Sequence, residues 1–108
     1  MLKDKNCVPC EEKTGLLNAL EIQSKLKKIK GWELEDSNKK ISKIFSFLNF
    51  SDALIFINRV GEIAEDEAHH PDILLFNYNK VKISLSTHSV KGLTENDFIV
   101  ATKIKDIS

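Results

Sequence analysis

Residues 81–88 read Val-Lys-Ile-Ser-Leu-Ser-Thr-His, with Val81, Ile83, Leu85 and Thr87 alternating without a break against Lys82, Ser84, Ser86 and His88. Successive side chains of an extended chain point to opposite faces, so this stretch is a strand with one face in a core and the other outside it. The rest of the chain has to supply a sheet for that strand to join and a layer to cover its apolar side.

The flanking segments do so. Asn18-Ala19-Leu20-Glu21 is a capping box, and Ile22, Leu26 and Ile29 follow at helical spacing, which predicts a first helix to about Lys30 with Gly31 as its stop. Trp32 to about Glu35 and Ile41–Leu48 read as two strands joined by a turn at Asp36-Ser37-Asn38. Ser51 is the expected N-cap of a second helix, with Leu54, Ile57, Val60, Ile63 and Ala64 as its apolar face and Phe56 beside them, running to about Ala68. Pro71 forbids continuation, because it lacks an N–H and biases its predecessor away from helical angles. Leu74–Tyr78 is a third strand, turning at Asn79-Lys80 into the alternating one. Gly92 marks a turn, Thr94-Glu95-Asn96-Asp97 caps a third helix, and Phe98, Ala101, Ile104 and Ile107 form its stripe. The order α-β-β-α-β-β-α predicts an α+β two-layer sandwich, a four-stranded antiparallel sheet with three helices on one face. Its open edges invite a second copy, so a homo-oligomer through the sheet edges is expected.

A chain of 108 residues supports one domain, taken as 18–108 behind a polar tail at 1–17. Sixteen Lys/Arg balance sixteen Asp/Glu, which argues against a basic nucleic-acid-binding face. No apolar run approaches the roughly 18–20 residues that cross a bilayer, and the start, MLKDKNCVPCEEK, lacks the apolar stretch of a secretory signal. The expectation is a cytoplasmic domain with no membrane or nucleic-acid partner. Cys7 and Cys10 have the spacing of a redox pair or half a zinc site, but they lie in the polar tail with no second pair to complete four sulfurs. A tail without a catalytic role is expected, with a disulfide or a shared metal at a chain contact as the alternative.

All three histidines fall between residues 69 and 88. His69 and His70 end the second predicted helix and His88 ends the last predicted strand, so one rim of the sheet can gather three imidazoles. Glu65 lies one helical turn before His69, and Asp97 a short loop after His88. Each has a purely structural role available: the histidines as helix- or strand-end residues, Asp97 as the capping-box partner of Thr94, Glu65 as a solvated carboxylate. Together they form a set suited to proton transfer. Imidazole, with an ordinary pKa of ~6.5, both donates and accepts protons near neutrality, and a positioned one contributes roughly 10²–10⁴-fold to a rate. Two imidazoles on opposite sides of a small substrate serve as acid and base in one elimination, and a carboxylate behind an imidazole fixes its tautomer; Glu65 and Asp97 are the candidates. No Ser or Cys nucleophile motif and no glycine-rich phosphate loop accompanies them. His69, His88 and Glu65 also form a donor set that suits a divalent ion, and a non-catalytic dimerisation or binding module is a further alternative.

The motifs Glu65-x-x-x-His69-His70-Pro71, Tyr78-Asn79-Lys80-Val81, Leu85-Ser86-Thr87-His88 and Gly92-Leu93-Thr94-x-x-Asp97, in that order, resemble the pterin-4a-carbinolamine dehydratase family. Gly31-Trp32 and Phe45-x-Phe47-x-x-Phe50 extend the likeness over about residues 18–106. The resemblance implies an enzyme, a hydro-lyase converting 4a-hydroxytetrahydrobiopterin to quinonoid dihydropterin and water, without metal or cofactor, in the recycling of the tetrahydropterin used by aromatic amino acid hydroxylases. It implies His69 and His88 as acid and base, His70 as a substrate-binding residue that supports proton transfer, and Asp97 as the carboxylate that orients the histidines. It also implies that Glu65, His69–Pro71 and Thr87, His88, Ser89 and Val90 line the pterin.

Overall fold

The computed structural model describes residues 15–108; Cys7 and Cys10, and with them the reading of the tail, lie outside the described residues. The elements are α1 (Ala19–Leu26), β1 (Glu33–Glu35), β2 (Lys40–Ser46), α2 (Phe50–Glu67), β3 (Asp72–Phe76), β4 (Lys80–Leu85), a short 3₁₀ turn at His88–Val90 and α3 (Glu95–Ile107). The expected α+β sandwich is the one observed. The strands form one antiparallel sheet in the order β1-β2-β4-β3.

Register explains the burial. Ile41 faces Leu85, Lys43 faces Ile83 and Phe45 faces Val81 across β2–β4, while Ile73 and Leu75 meet Ile83 and Val81 from β3. Pleating sends Val81, Ile83 and Leu85 to one side, where they join Ile22 of α1, Ala53, Phe56 and Val60 of α2, and Phe98, Ala101 and Ile104 of α3 in one core. The alternation continues to Thr87, which is also buried, although β4 itself stops at Leu85. Beyond it Thr87 pairs singly with Gly92, Thr87 N–H donating to Gly92 O at 2.7 Å, and the chain between them is folded into the 3₁₀ turn. His88 therefore opens a turn instead of ending a strand. Leu17 N–H donates to Leu93 O at 2.9 Å and Leu17 packs on the core, so the residue two places ahead of α1 is already part of the sandwich.

Several boundaries differ from expectation for identifiable reasons. α1 ends at Leu26 because Lys28 and Ile29 bond the carbonyls three residues back, tightening the last turn, yet Ile29 stays buried at the position its spacing implies. Gly31 then takes φ +90, a conformation that suits glycine. α2 is capped by Asn49, whose side chain accepts from Asp52 N–H at 2.8 Å; Ser51 lies inside the helix. The buried stripe of α2 is Ala53, Phe56, Val60 and Ala64, with Ile57 and Ile63 half-buried against the core; the expected face departs at Leu54, which is exposed like Ile55 while Ala53 is buried in its place. Phe56 is central because it stacks obliquely on Phe45 and Phe47, with ring centroids 4.7 and 4.9 Å away. The β3–β4 turn spans Asn77, Tyr78 and Asn79, the first two left-handed, and Asn79 ties it to Phe47 through backbone and side-chain bonds, while Lys80 already belongs to β4. Among the described residues no helix is long and apolar enough to cross a membrane.

The outer face of the sheet is tied by charge. Glu35, on the three-residue edge strand β1, accepts from Ser42 of β2 and pairs with Lys82 of β4 at 3.2 Å. The hydrogen bond from Ser42, and then that from Lys82, hold the Glu35 carboxyl below its ordinary 4.5. Stability from a lowered carboxyl is complete above the ordinary value and is lost as pH falls through the lowered one. Thermal melts of Glu35→Gln should therefore show a small loss against wild type near neutral pH, closing as both proteins are taken well below pH 4.5; a gap of equal size in strong acid would refute this origin.

Candidate functional site

Two local stop signals bring the site together. α2 ends in a pair of bonds, Ala68 N–H to Glu65 O at 3.3 Å and His69 N–H to Ala64 O at 3.1 Å, around Ala68 in the left-handed region at φ 53. This is the Schellman arrangement, which turns the chain sharply off the helix axis. The two histidines that follow separate: His69 is buried and His70 is exposed. At the other end, Thr94 caps α3, and the Asp97 side chain returns to Thr94 N–H at 2.9 Å, completing the capping box read from the sequence.

Asp97 is fully buried, and its two oxygens have different partners. Oδ1 lies 2.6 Å from His69 Nε2. Oδ2 accepts from Thr94 N–H and, at 2.8 Å, from the Thr87 hydroxyl, which in turn lies 2.8 Å from the Thr94 hydroxyl. A buried carboxylate is tolerable only when its oxygens are met by donors, and three donors meet this one. The cap of α3 and the anchor of His69 are thus the same carboxyl group. Among the described residues no buried side-chain nitrogen or oxygen lacks a partner, and His69 Nδ1 makes no hydrogen bond, so Nδ1 is the ring atom that solvent reaches. The ring is held from behind at one nitrogen and open at the other, the arrangement a proton-transferring imidazole needs.

The carboxylates are distributed differently from the expectation. Glu65 was expected behind His69, one helical turn away; because the chain leaves the helix at Ala68, Glu65 reaches His70 Nε2 at 2.5 Å, and both side chains are largely exposed. Asp97, near His88 in sequence, serves His69. The His88 side chain is exposed and makes no hydrogen bond or ion pair among the described residues, but its neighbour Thr87 is bonded to Asp97, which sets the 3₁₀ turn beside the His69 cluster. Ser89 is exposed and Pro71 and Val90 are half-buried. The Thr87 side chain, expected among the residues lining a ligand, is only 2% exposed and is committed to Asp97 and Thr94. Thr94 itself, read only as a cap, is part of the same network. The donor set His69, His88 and Glu65 does not come together, since Glu65 is on His70; among the described residues no group of three or more such side chains is spaced to hold a metal ion.

Known proteins resemble this chain in sequence and in fold. The family model described as pterin 4 alpha carbinolamine dehydratase matches residues 15–107. A Halorhodospira halophila protein named for that family is 44% identical over 103 residues, covering 95% of this chain and 94% of the relative. Pterin-4-alpha-carbinolamine dehydratase 2, mitochondrial, of Arabidopsis thaliana is 44% identical over 111 residues, 98% of this chain and 58% of that protein. The crystal structure of a transcriptional coactivator/pterin dehydratase from Brucella melitensis superposes with a TM-score of 0.81 at 34% identity, over 86% of this chain and 98% of that one. A pterin dehydratase-like protein identified as a RuBisCO assembly factor in the alpha-carboxysome shares the fold, with a TM-score of 0.61 at 19% identity over 71% of this chain and 88% of that one.

The two histidine–carboxylate pairs should differ sharply in energetic weight. Removing one member of a buried pair costs about 3–5 kcal/mol, whereas an exposed pair contributes about 0–1 kcal/mol. Denaturant titration should show Asp97→Ala losing at least about 3 kcal/mol and His70→Ala less than about 1 kcal/mol; comparable losses would show that Asp97 does not anchor the cluster.

Proposed function

The chain belongs to the pterin 4 alpha carbinolamine dehydratase family, a family of lyases, and on that premise we propose that it dehydrates a 4a-hydroxytetrahydropterin by histidine acid–base catalysis, with 4a-hydroxytetrahydrobiopterin as its substrate. One imidazole protonates the 4a-hydroxyl as the carbon–oxygen bond breaks, and another accepts the proton released from the ring nitrogen as its electron pair forms the C=N bond. Water and quinonoid dihydropterin result, and the proton count closes with no metal or bound cofactor. His69 and His88 are the acid and base. His70, paired with Glu65 at the exposed rim, binds the substrate with Pro71, Ser89 and Val90.

The observation that supports this most is the His69 ring, held at Nε2 by a buried carboxylate and open at Nδ1. A surface-binding module has no use for a buried, oriented imidazole with one free nitrogen. In this role the protein works in the cytoplasm and returns to the reduced pool the pterin oxidised by an aromatic amino acid hydroxylase. The partner suited to the sheet is a second copy. β3 is an edge strand, and its Ile73 and Leu74 are 38% and 55% exposed, so edge pairing would cover apolar surface as well as free backbone groups.

A hydroxylase-coupled assay at mildly alkaline pH, where spontaneous dehydration is slow, tests the activity. Wild type should speed the appearance of quinonoid dihydropterin, and His69→Ala and His88→Ala should each lose roughly 10²–10⁴-fold of that acceleration. A wild-type protein that leaves the spontaneous rate unchanged would replace this reading with that of a binding module built on the same fold.

A further inference from the structure

The hydroxyl protons of the buried network can be placed one by one. Thr94 N–H is only a donor, and a carboxylate at neutral pH is only an acceptor, so Asp97 Oδ2 receives both the Thr94 N–H and the Thr87 O–H. Thr87 has one hydroxyl proton and that bond uses it. The 2.8 Å contact between the threonine hydroxyls is therefore donated by Thr94 and accepted by Thr87. Thr94 Oγ1 is in turn the acceptor for Asn96 N–H at 3.2 Å, so it has a donor on its other side. Each bond has one allowed direction, and all of them run toward Asp97.

The last bond follows the same logic. Oδ1 meets only His69 Nε2, so the proton between them belongs to the nitrogen, and a neutral His69 carries its hydrogen on Nε2 and its lone pair on Nδ1. Rotation of the carboxyl group would scramble this assignment, and the two donors on Oδ2 prevent it. Thr94 N–H is fixed by the backbone of α3. The Thr87 hydroxyl is the second point of attachment, and two points fix a plane where one leaves a pivot. The two other hydrogen-bonding groups of Thr87, its N–H and C=O, pair with Gly92 (N–H to O at 2.7 Å), so the hydroxyl approaches from a rigid loop.

We propose that Thr87 is a positioning residue: its hydroxyl, oriented by that of Thr94, locks the Asp97 carboxylate so that His69 is held as the Nε2–H tautomer with Nδ1 presented to the substrate as a proton acceptor. This rests on the dehydratase reading and deepens it. It places His69 as the base and leaves the acid to His88, and it assigns a share of the rate to a hydroxyl buried behind the imidazole.

The test separates this role from packing. Thr87→Val keeps the shape and removes the hydroxyl; Thr87→Ser keeps the hydroxyl. In the dehydration assay Thr87→Val should lower kcat by roughly 10- to 100-fold with little change in KM, the loss expected for one hydrogen bond to a charged group, and Thr87→Ser should recover most of it. Imidazole ¹⁵N NMR supplies a readout independent of turnover. Neutral His69 in the wild type should be protonated at Nε2 and bare at Nδ1, and Thr87→Val should show a mixture of tautomers. A Thr87→Val protein that turns over like wild type, or a serine variant no better than the valine one, overturns the proposal. If the valine variant does not fold, the wild-type spectrum still decides, since a proton on Nδ1 of neutral His69 contradicts the proposed order and one on Nε2 bears it out. Absence of dehydration by the wild type would count against the dehydratase reading alone, because the spectrum reports the tautomer either way.

Discussion

A carboxylate removed from water must be met by donors on both oxygens, and Asp97 places that demand on three parts of the chain at once. His69 comes from the loop after α2, Thr87 from the end of the β4 segment, and the Thr94 N–H from the start of α3. Each group alone makes an ordinary hydrogen bond; only where they converge is the buried charge tolerable. The helix start, the loop after β4 and the orientation of one imidazole are consequently a single structural unit, set against the rim of a core that is otherwise apolar.

That core and that cluster are built on different physics. The sheet face of Ile41, Phe45, Val81, Ile83 and Leu85 under three helices is held by apolar burial, which is broad in its demands and tolerates substitution of similar volume. The cluster depends on directed bonds, each with one donor and one acceptor. The sheet fixes where the loops begin, and the hydrogen bonds fix where a proton can go. His70 and His88 are exposed and stand outside that discipline, which suits groups that meet a ligand arriving from solvent.

Much of this is written in local sequence. The alternation at 81–87 marks which side chains face inward, including Thr87, and both capping boxes, Asn18 with Glu21 and Thr94 with Asp97, are present at the spacing read for them. Misreadings occurred where two residues met the same criterion. Asn49 and Ser51 are equally good caps, and the backbone chose the one that starts α2 two residues earlier. Leu54 is more apolar than Ala53, but the turn of the helix buries Ala53 in the core and leaves Leu54 exposed. The pairing of His69 with Asp97 was beyond local reading because it depends on Ala68 adopting a left-handed conformation, which alanine rarely does and no composition rule flags. Had α2 continued another turn, Glu65 would have faced His69, as the four-residue spacing suggested.

The double duty of Asp97 also bears on how such a chain can diverge. A lineage released from the need for catalysis still has to start α3, so drift is checked at Asp97 and Thr94 by the need to fold, whereas His70, Glu65 and His88, which hold nothing up, are free to wander. Decay of the chemistry would strip the surface imidazoles first and leave the buried carboxylate behind as a fossil, still capping its helix after the reaction it once served has gone.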